Sequence, residues 1–303
     1  WVIVKEFEEK GVSGFKVSAK NRDAIQDLKE AALREEFDIF AVGDLRNVLV
    51  SLSEVEPLIE DLLQYRFVTD SSLNNHPMGN LLLTALYNIT GNLTESLRSL
   101  SKIFNIKGTI LPFTEENPVL IAHTTDGKII EGESNITKAG KEIDYIEYKN
   151  EVKPTKEVIK AIDEADLIIF GIGSLYTSII PNLLSKEVVE SLKNSKAKKM
   201  YVCNIMSEHG ETDNYKVSDC IKKINSYVKE DLMDVVVVNN KKVPDDIKER
   251  YLGEIAGQID IDYDVLNDMN VEIIEDELLY ISEKKKVRHD PYRTALAIFN
   301  YIV

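Results

Sequence analysis

The sequence holds only two cysteines, Cys203 and Cys220, and no CxxC or paired-histidine spacing. That excludes a disulfide framework and leaves zinc without a ligand set, so a reducing cytoplasm is the expected compartment. The four histidines, His76, His123, His209 and His289, are far apart and form no HxH or HExxH pattern, and none is assigned to a metal. Basic residues are few beside acidic ones, 37 Lys and Arg against 52 Asp and Glu, for a formal charge of −15. A field of that sign repels nucleic acid and anionic lipid at long range, so neither is an expected partner. No apolar run approaches the ~20 residues needed to cross a bilayer, so no membrane span is expected. Trp1 to Lys10 carries acidic residues where a signal peptide needs apolar ones, so export by that route is not expected either. The chain opens on Trp rather than Met, so its natural N-terminus is expected to have been processed, trimmed or to lie outside the residues given. Neither GxxxxGK[ST] nor GxSxG occurs, so P-loop phosphoryl transfer and α/β-hydrolase chemistry lack their signatures.

What is present is an ordinary globular balance. Of 303 residues, 44% are apolar, enough for the core of one large domain or two modest ones. AIQDLKEAALREEF and GNLLLTALYNITG carry helical spacing, whereas DLIIFG, KMYVCN and DVVVVNN are short, continuous, β-branched runs bounded by turn residues. Runs of that kind read as strands buried on both faces. With KEVVESLKN and VSDCIKKINSYV between them they form βαβ units, and a three-layer α/β fold follows, a parallel sheet with helices on both faces. PVLIAHTTDGKIIEGESNI departs from this, being two alternating runs joined at Asp126-Gly127, the chemistry of a tight hairpin. The chain is therefore read as one α/β domain over 1–303 with an antiparallel β excursion over 112–150. The last helix is expected to start at Asp290 as cap and Pro291 as first residue, burying Leu296, Phe299 and Ile302.

The chemistry is expected where strands give way to polar loops. ADLIIFGIGSLYTSIIPNLLS is a buried strand ending in Gly171, Ile172, Gly173 and Ser174 before a helix beginning near Leu175. A strand, a glycine turn and a helix N-terminus present unpaired N–H groups and a positive dipole end, a ready anion site, with Ser174, Thr177 and Ser178 as further donors. A tight connection with hydroxyl caps accounts for the same residues. The next strand runs into a loop carrying Asn204, Ser207, Glu208, His209, Glu211, Thr212 and Asp213, which should flank that turn, because ligands of open parallel sheets lie beyond the carboxyl ends of strands. Upstream, Asp44, Arg46 and Asn47 suit the charges of a nucleotide with Mg²⁺, or are a helix cap with a surface arginine behind it. His76 and Asn80 either touch a ligand or shape the entry to a helix, and Arg288 with His289 either makes a second anion contact or lies on a solvated face.

Five blocks carry a family pattern in order: GDLRNVLVSLSEVEPLIEDLLQYRF, HPMGNLLLTALYNITG, GIGSLYTSIIPNLLS, YVCNIMSEHGETDNY and VRHDP. Together they resemble the gluconeogenesis factor (YvcK-like) family, a branch of the CofD-like superfamily, over nearly everything after Leu33. The resemblance implies a Rossmann-like cytoplasmic protein that binds UDP-sugars and is needed for cell shape and wall synthesis during gluconeogenic growth. Partners among cell-wall synthesis regulators, and a homo-oligomeric state, are compatible with that role. The related enzymes, the 2-phospho-L-lactate transferases, imply an alternative in which a phospholactate unit passes from a nucleotide carrier to a deazaflavin acceptor with Mg²⁺. Carried onto this chain, the ligand cleft would use Asp44, Arg46 and Asn47, then Asn80, Gly171, Gly173, Ser174, Thr177 and Ser178, then Asn204, Glu211 and Thr212, with Tyr251 and Arg288 closing the far side. No catalytic residue is assigned. Residues 1–33 are atypical, lacking the GGTG and DDGGSSG stretches usual in the family, and Ile172 stands where a proline is expected.

Overall fold

The computed structural model describes residues 2–4, 37–41, 62–63, 65–70, 74, 76–104, 108–253, 256–282 and 285–302. In chain order its elements are β1 (Val2–Val4), β2 (Phe37–Ala41), α1 (Met78–Thr90), α2 (Leu93–Ile103), β3 (Thr109–Pro112), β4 (Leu120–Thr124), β5 (Ile129–Glu131), α3 (Glu133–Ala139), β6 (Ile143–Tyr148) and α4 (Lys156–Asp163). There follow β7 (Leu167–Phe170), α5 (Lys186–Asn194), β8 (Lys198–Val202), α6 (Val217–Val228), β9 (Val235–Asn239), α7 (Asp245–Gly253), α8 (Tyr263–Asp268), β10 (Glu272–Asp276), β11 (Leu279–Ile281), β12 (Val287–His289) and α9 (Pro291–Ile302). The helix expected over 24–37 lies outside the described residues as far as 36, and Phe37 begins β2 instead.

The main sheet has the order β10-β9-β8-β7-β1-β2-β3. From β7 to β10 every pairing is parallel, as the β-branched runs predict. β2 and β3 are also parallel, but β1, between β7 and β2, runs antiparallel to both. A three-residue strand is too short to carry a periodicity, so its direction had no signature in sequence.

Alternation along β7, β8 and β9 sends side chains to two apolar layers. Ile168, Phe170, Tyr201, Val236 and Val238 meet α4, α5 and α6 through Val158, Ile162, Val188, Leu192, Ile221 and Ile224. Leu167, Ile169, Met200, Val202, Val235 and Val237 face the other way and are covered by α9. The sheet therefore has helices on both faces, and α1 and α2 pack Leu97, Leu100 and their neighbours on Ile110 of β3. In α9, Ala297, Ile298, Tyr301 and Ile302 pack on this layer, so Ile302 of the expected stripe is among them, while Leu296 and Phe299 are half-buried. The expected cap is present, because Asp290 Oδ1 accepts from the amides of Tyr292 and Arg293 at 3.0 Å each.

The excursion is a three-stranded antiparallel sheet, β5-β4-β6, that buries Leu120, Ala122, Ile143 and Ile146 against the main core. Its hairpin closes through Thr124 N to Lys128 O at 3.0 Å, with Gly127 at φ +79°. The loop is thus Thr125, Asp126 and Gly127, one residue longer than a two-residue turn, with glycine at the left-handed position.

Candidate functional site

β7 delivers the chain to Gly171 at the carboxyl edge of the sheet. Gly171 has φ +108°, and a Cβ there would lie 2.8 Å from the carbonyl oxygen of Val202 at the end of β8. Only glycine lets the turn pass that close to its neighbour. The carbonyl of Gly173 accepts from Asn204 Nδ2 at 2.9 Å, so the first polar residue after β8 holds the turn that follows β7. The expected adjacency of the two loops is therefore observed. The helix after the turn is a single π turn, Leu175–Ile179, running into a 3₁₀ turn, Ile180–Leu183. The amides of Ser178 and Ile179 both donate to Ser174 O, and Pro181, which has no N–H, interrupts any α-helical ladder beyond them.

The anion site at the start of that π turn already has an occupant. Glu211, 6% exposed, accepts from the amide of Tyr176 at 3.0 Å and from the Thr177 hydroxyl at 3.2 Å. Burial, reinforced by the like charge of Glu208, pushes its carboxyl up to about 7, against the opposing pull of these hydrogen bonds. Glu211 and Thr177 are thus brought together, but as partners of each other. Ser174 and Ser178 stay half-buried at the turn, and the Ser174 side chain caps nothing. Thr212, also buried, accepts from the amide of Glu208 at 2.9 Å and fixes the loop.

The hairpin of β11 and β12 closes the other side. Tyr251 of α7 accepts at its hydroxyl from Val287 N at 2.9 Å and packs with Ile205, Met206 and Val287. Alternation along β12 turns His289 inward, its Nε2 3.0 Å from the carbonyl of Cys203, while Arg288 stands exposed opposite Tyr280. His289 is thus the member of this pair that meets the end of β8; a strand of three residues carries no periodicity from which sequence could separate the two. Asn80 is exposed at the start of α1, and no hydrogen bond among the described residues joins it to the turn. Asp44, Arg46 and Asn47 lie outside the described residues, and with them the expected Mg²⁺ ligand. Among the described residues there is no group of three or more His, Cys, Asp or Glu able to hold a metal ion, and no helix is long and apolar enough to cross a membrane. A groove of about 430 Å³ opens beyond β9, lined by Asn239, Lys242, Lys248, Gln258 and Tyr263 among others.

Residues 26–279 match a family model described as 2-phospho-L-lactate transferase CofD. The gluconeogenesis factor of Bacillus subtilis (strain 168) is 41% identical over 264 residues, 87% of this chain and 83% of that protein. The gluconeogenesis factor of Listeria innocua is 39% identical over 268 residues, 88% and 82% of the two chains. A crystal structure of a Bacillus halodurans protein superposes with a TM-score of 0.81 at 39% identity, covering 85% of this chain and 83% of that one.

Proposed function

This chain belongs to the CofD family, among its gluconeogenesis factors, and from that membership we propose that it binds a UDP-sugar and acts as a cytoplasmic regulator. Its role would be to sustain cell shape and wall synthesis during growth on gluconeogenic carbon, acting on proteins of wall synthesis. The observation that carries the reading is the junction of the Gly171–Ser174 turn with Asn204 at the carboxyl ends of β7 and β8, the position at which open α/β sheets receive phosphate-bearing ligands. The anion would meet the Gly173–Leu175 backbone and the Ser174 and Ser178 hydroxyls. Tyr251 and Asn204 would hold the surrounding loops, and Arg288 would reach the ligand from the rim. Asp44, Arg46, Asn47 and Asn80 would complete the cleft from the other half of the sheet.

Isothermal titration with UDP-N-acetylglucosamine tests this. Saturable binding is expected, and its absence at every pH tried would refute the reading.

The transferase reading is favoured by one observation, the description of the matching family model. It requires binding of a deazaflavin acceptor and Mg²⁺, for which Asp44 is the candidate ligand. Titration of the acceptor with and without Mg²⁺ separates the two readings, because a regulator binds the UDP-sugar alone.

A further inference from the structure

Glu211 joins the two loops of the ligand cleft, and the junction is made by a buried carboxylate that no cation bonds among the described residues. Among the described residues its neighbours are these. Glu208, in the same loop, opposes its ionisation. His209 and Asp213 flank it and pair with each other at 3.2 Å. Tyr176 turns its hydroxyl to Tyr215 at 3.0 Å and to the carbonyl of Ile143 at 3.3 Å, and burial keeps that phenol protonated. Lys141, from the segment packed on Gly210, reaches Asp126 at 3.4 Å instead. What favours the charged form is the set of N–H and O–H groups at the start of the π turn, beside which an incoming phosphate would lie.

We propose that Glu211 takes up a proton when an anionic ligand occupies the Gly171–Ser178 turn, so that ligand binding is coupled to protonation of this one carboxylate. The inference rests on the ligand reading above. A second negative charge beside a buried carboxylate disfavours its ionised form, and a carboxylate already strained by burial is the group that yields. The proton comes from solvent and forms an O–H bond on the carboxylate. The Thr177 hydroxyl, which donates to Oε1 in the ionised state, can rotate to accept from the new O–H. The Tyr176 amide still has a carbonyl oxygen to donate to. The junction therefore keeps both contacts on protonation, with the Thr177 hydroxyl accepting where it had donated.

The test uses the whole chain and UDP-N-acetylglucosamine, whose diphosphate diester does not itself titrate near neutrality. For a shift of about one unit on binding, affinity falls about fivefold between pH 6 and pH 8, and about half a proton is taken up near pH 7.5. Proton uptake is read from titrations in two buffers of different ionisation enthalpy, which needs no variant. In Glu211→Gln both effects should vanish while binding persists, and in Glu208→Gln the pH midpoint should move down. Saturable binding that is independent of pH with no proton uptake would overturn the inference and leave the UDP-sugar reading intact. An undiminished pH dependence in Glu211→Gln would also overturn it, and no binding at any pH would overturn both.

Discussion

The imidazole Nε2 of His289 lies 3.0 Å from the carbonyl oxygen of Cys203, and this bond fastens the β11–β12 hairpin to the carboxyl end of β8 across 86 residues of sequence. A carbonyl only accepts, so Nε2 carries the hydrogen. Burial lowers the imidazole's affinity for a second proton, with the same hydrogen bond opposing that shift. A base that is less basic when folded contributes stability that is present above its unfolded value, near 6.5, and is lost as pH falls through the depressed folded value. His289→Ala should therefore cost about 1 kcal/mol at pH 8, and the difference from the parent should narrow below pH 6.5. Urea unfolding across that range measures it, and a difference that widened with acid would contradict the assignment.

Gly171→Ala should be among the most damaging single changes in the molecule. The added Cβ meets backbone, Val202 O at 2.8 Å, and the residue sits at φ +108°, so neither a rotamer nor a flexible neighbour relieves the contact. A loss of about 2–3 kcal/mol is expected. Gly91→Ala offers the comparison, since Gly91 has φ +72° but open space around it, and about 1 kcal/mol should be lost there. Thermal unfolding of the two variants side by side separates backbone strain from close approach.

Arg288→Ala should leave stability within about 0.5 kcal/mol, because the side chain is exposed and, among the described residues, donates only to the carbonyl of Val287 in its own strand. UDP-N-acetylglucosamine affinity should fall about tenfold, the loss of one charge-assisted contact. Unchanged affinity with unchanged stability would remove Arg288 from the cleft and leave that side to His289.

The parts legible in sequence are those with a local physical cause. Val235–Asn239 is a strand because five consecutive residues are buried and four are valine, and α5 and α6 coincide with their amphipathic spacing. The Asp290 cap and the left-handed Gly127 follow from side-chain chemistry at single positions. The adjacency of the Gly171 turn to Asn204 followed from the rule for parallel sheets. What escaped reading depends on partners distant in the chain. Glu211 reads as a ligand residue in a polar loop, and only its contact with Tyr176, 35 residues away, shows that it fills the helix terminus itself. The inward turn of His289 is likewise set by packing, which composition does not encode.

Glu211→Gln gives the clearest thermodynamic signature. In the parent, the folded carboxyl is pushed up to about 7, first by burial and then by Glu208, while in the unfolded chain it ionises near its ordinary value of about 4.3. Between those values the folded state binds more protons than the unfolded one, so the parent loses stability as pH rises from about 4.5 to 7 and levels off above. Glutamine mimics the protonated form, since its carbonyl accepts from Tyr176 N and its amide donates to Thr177 Oγ1. The variant should therefore match the parent near pH 4.5 and become the more stable of the two at pH 8, by at most about 3 kcal/mol. Urea unfolding of both proteins from pH 4.5 to 8.5 reads this directly. A gap that stayed constant with pH would mean that Glu211 is not the titrating group, and a variant that lost stability throughout would mean that the Tyr176 and Thr177 donors hold a full negative charge.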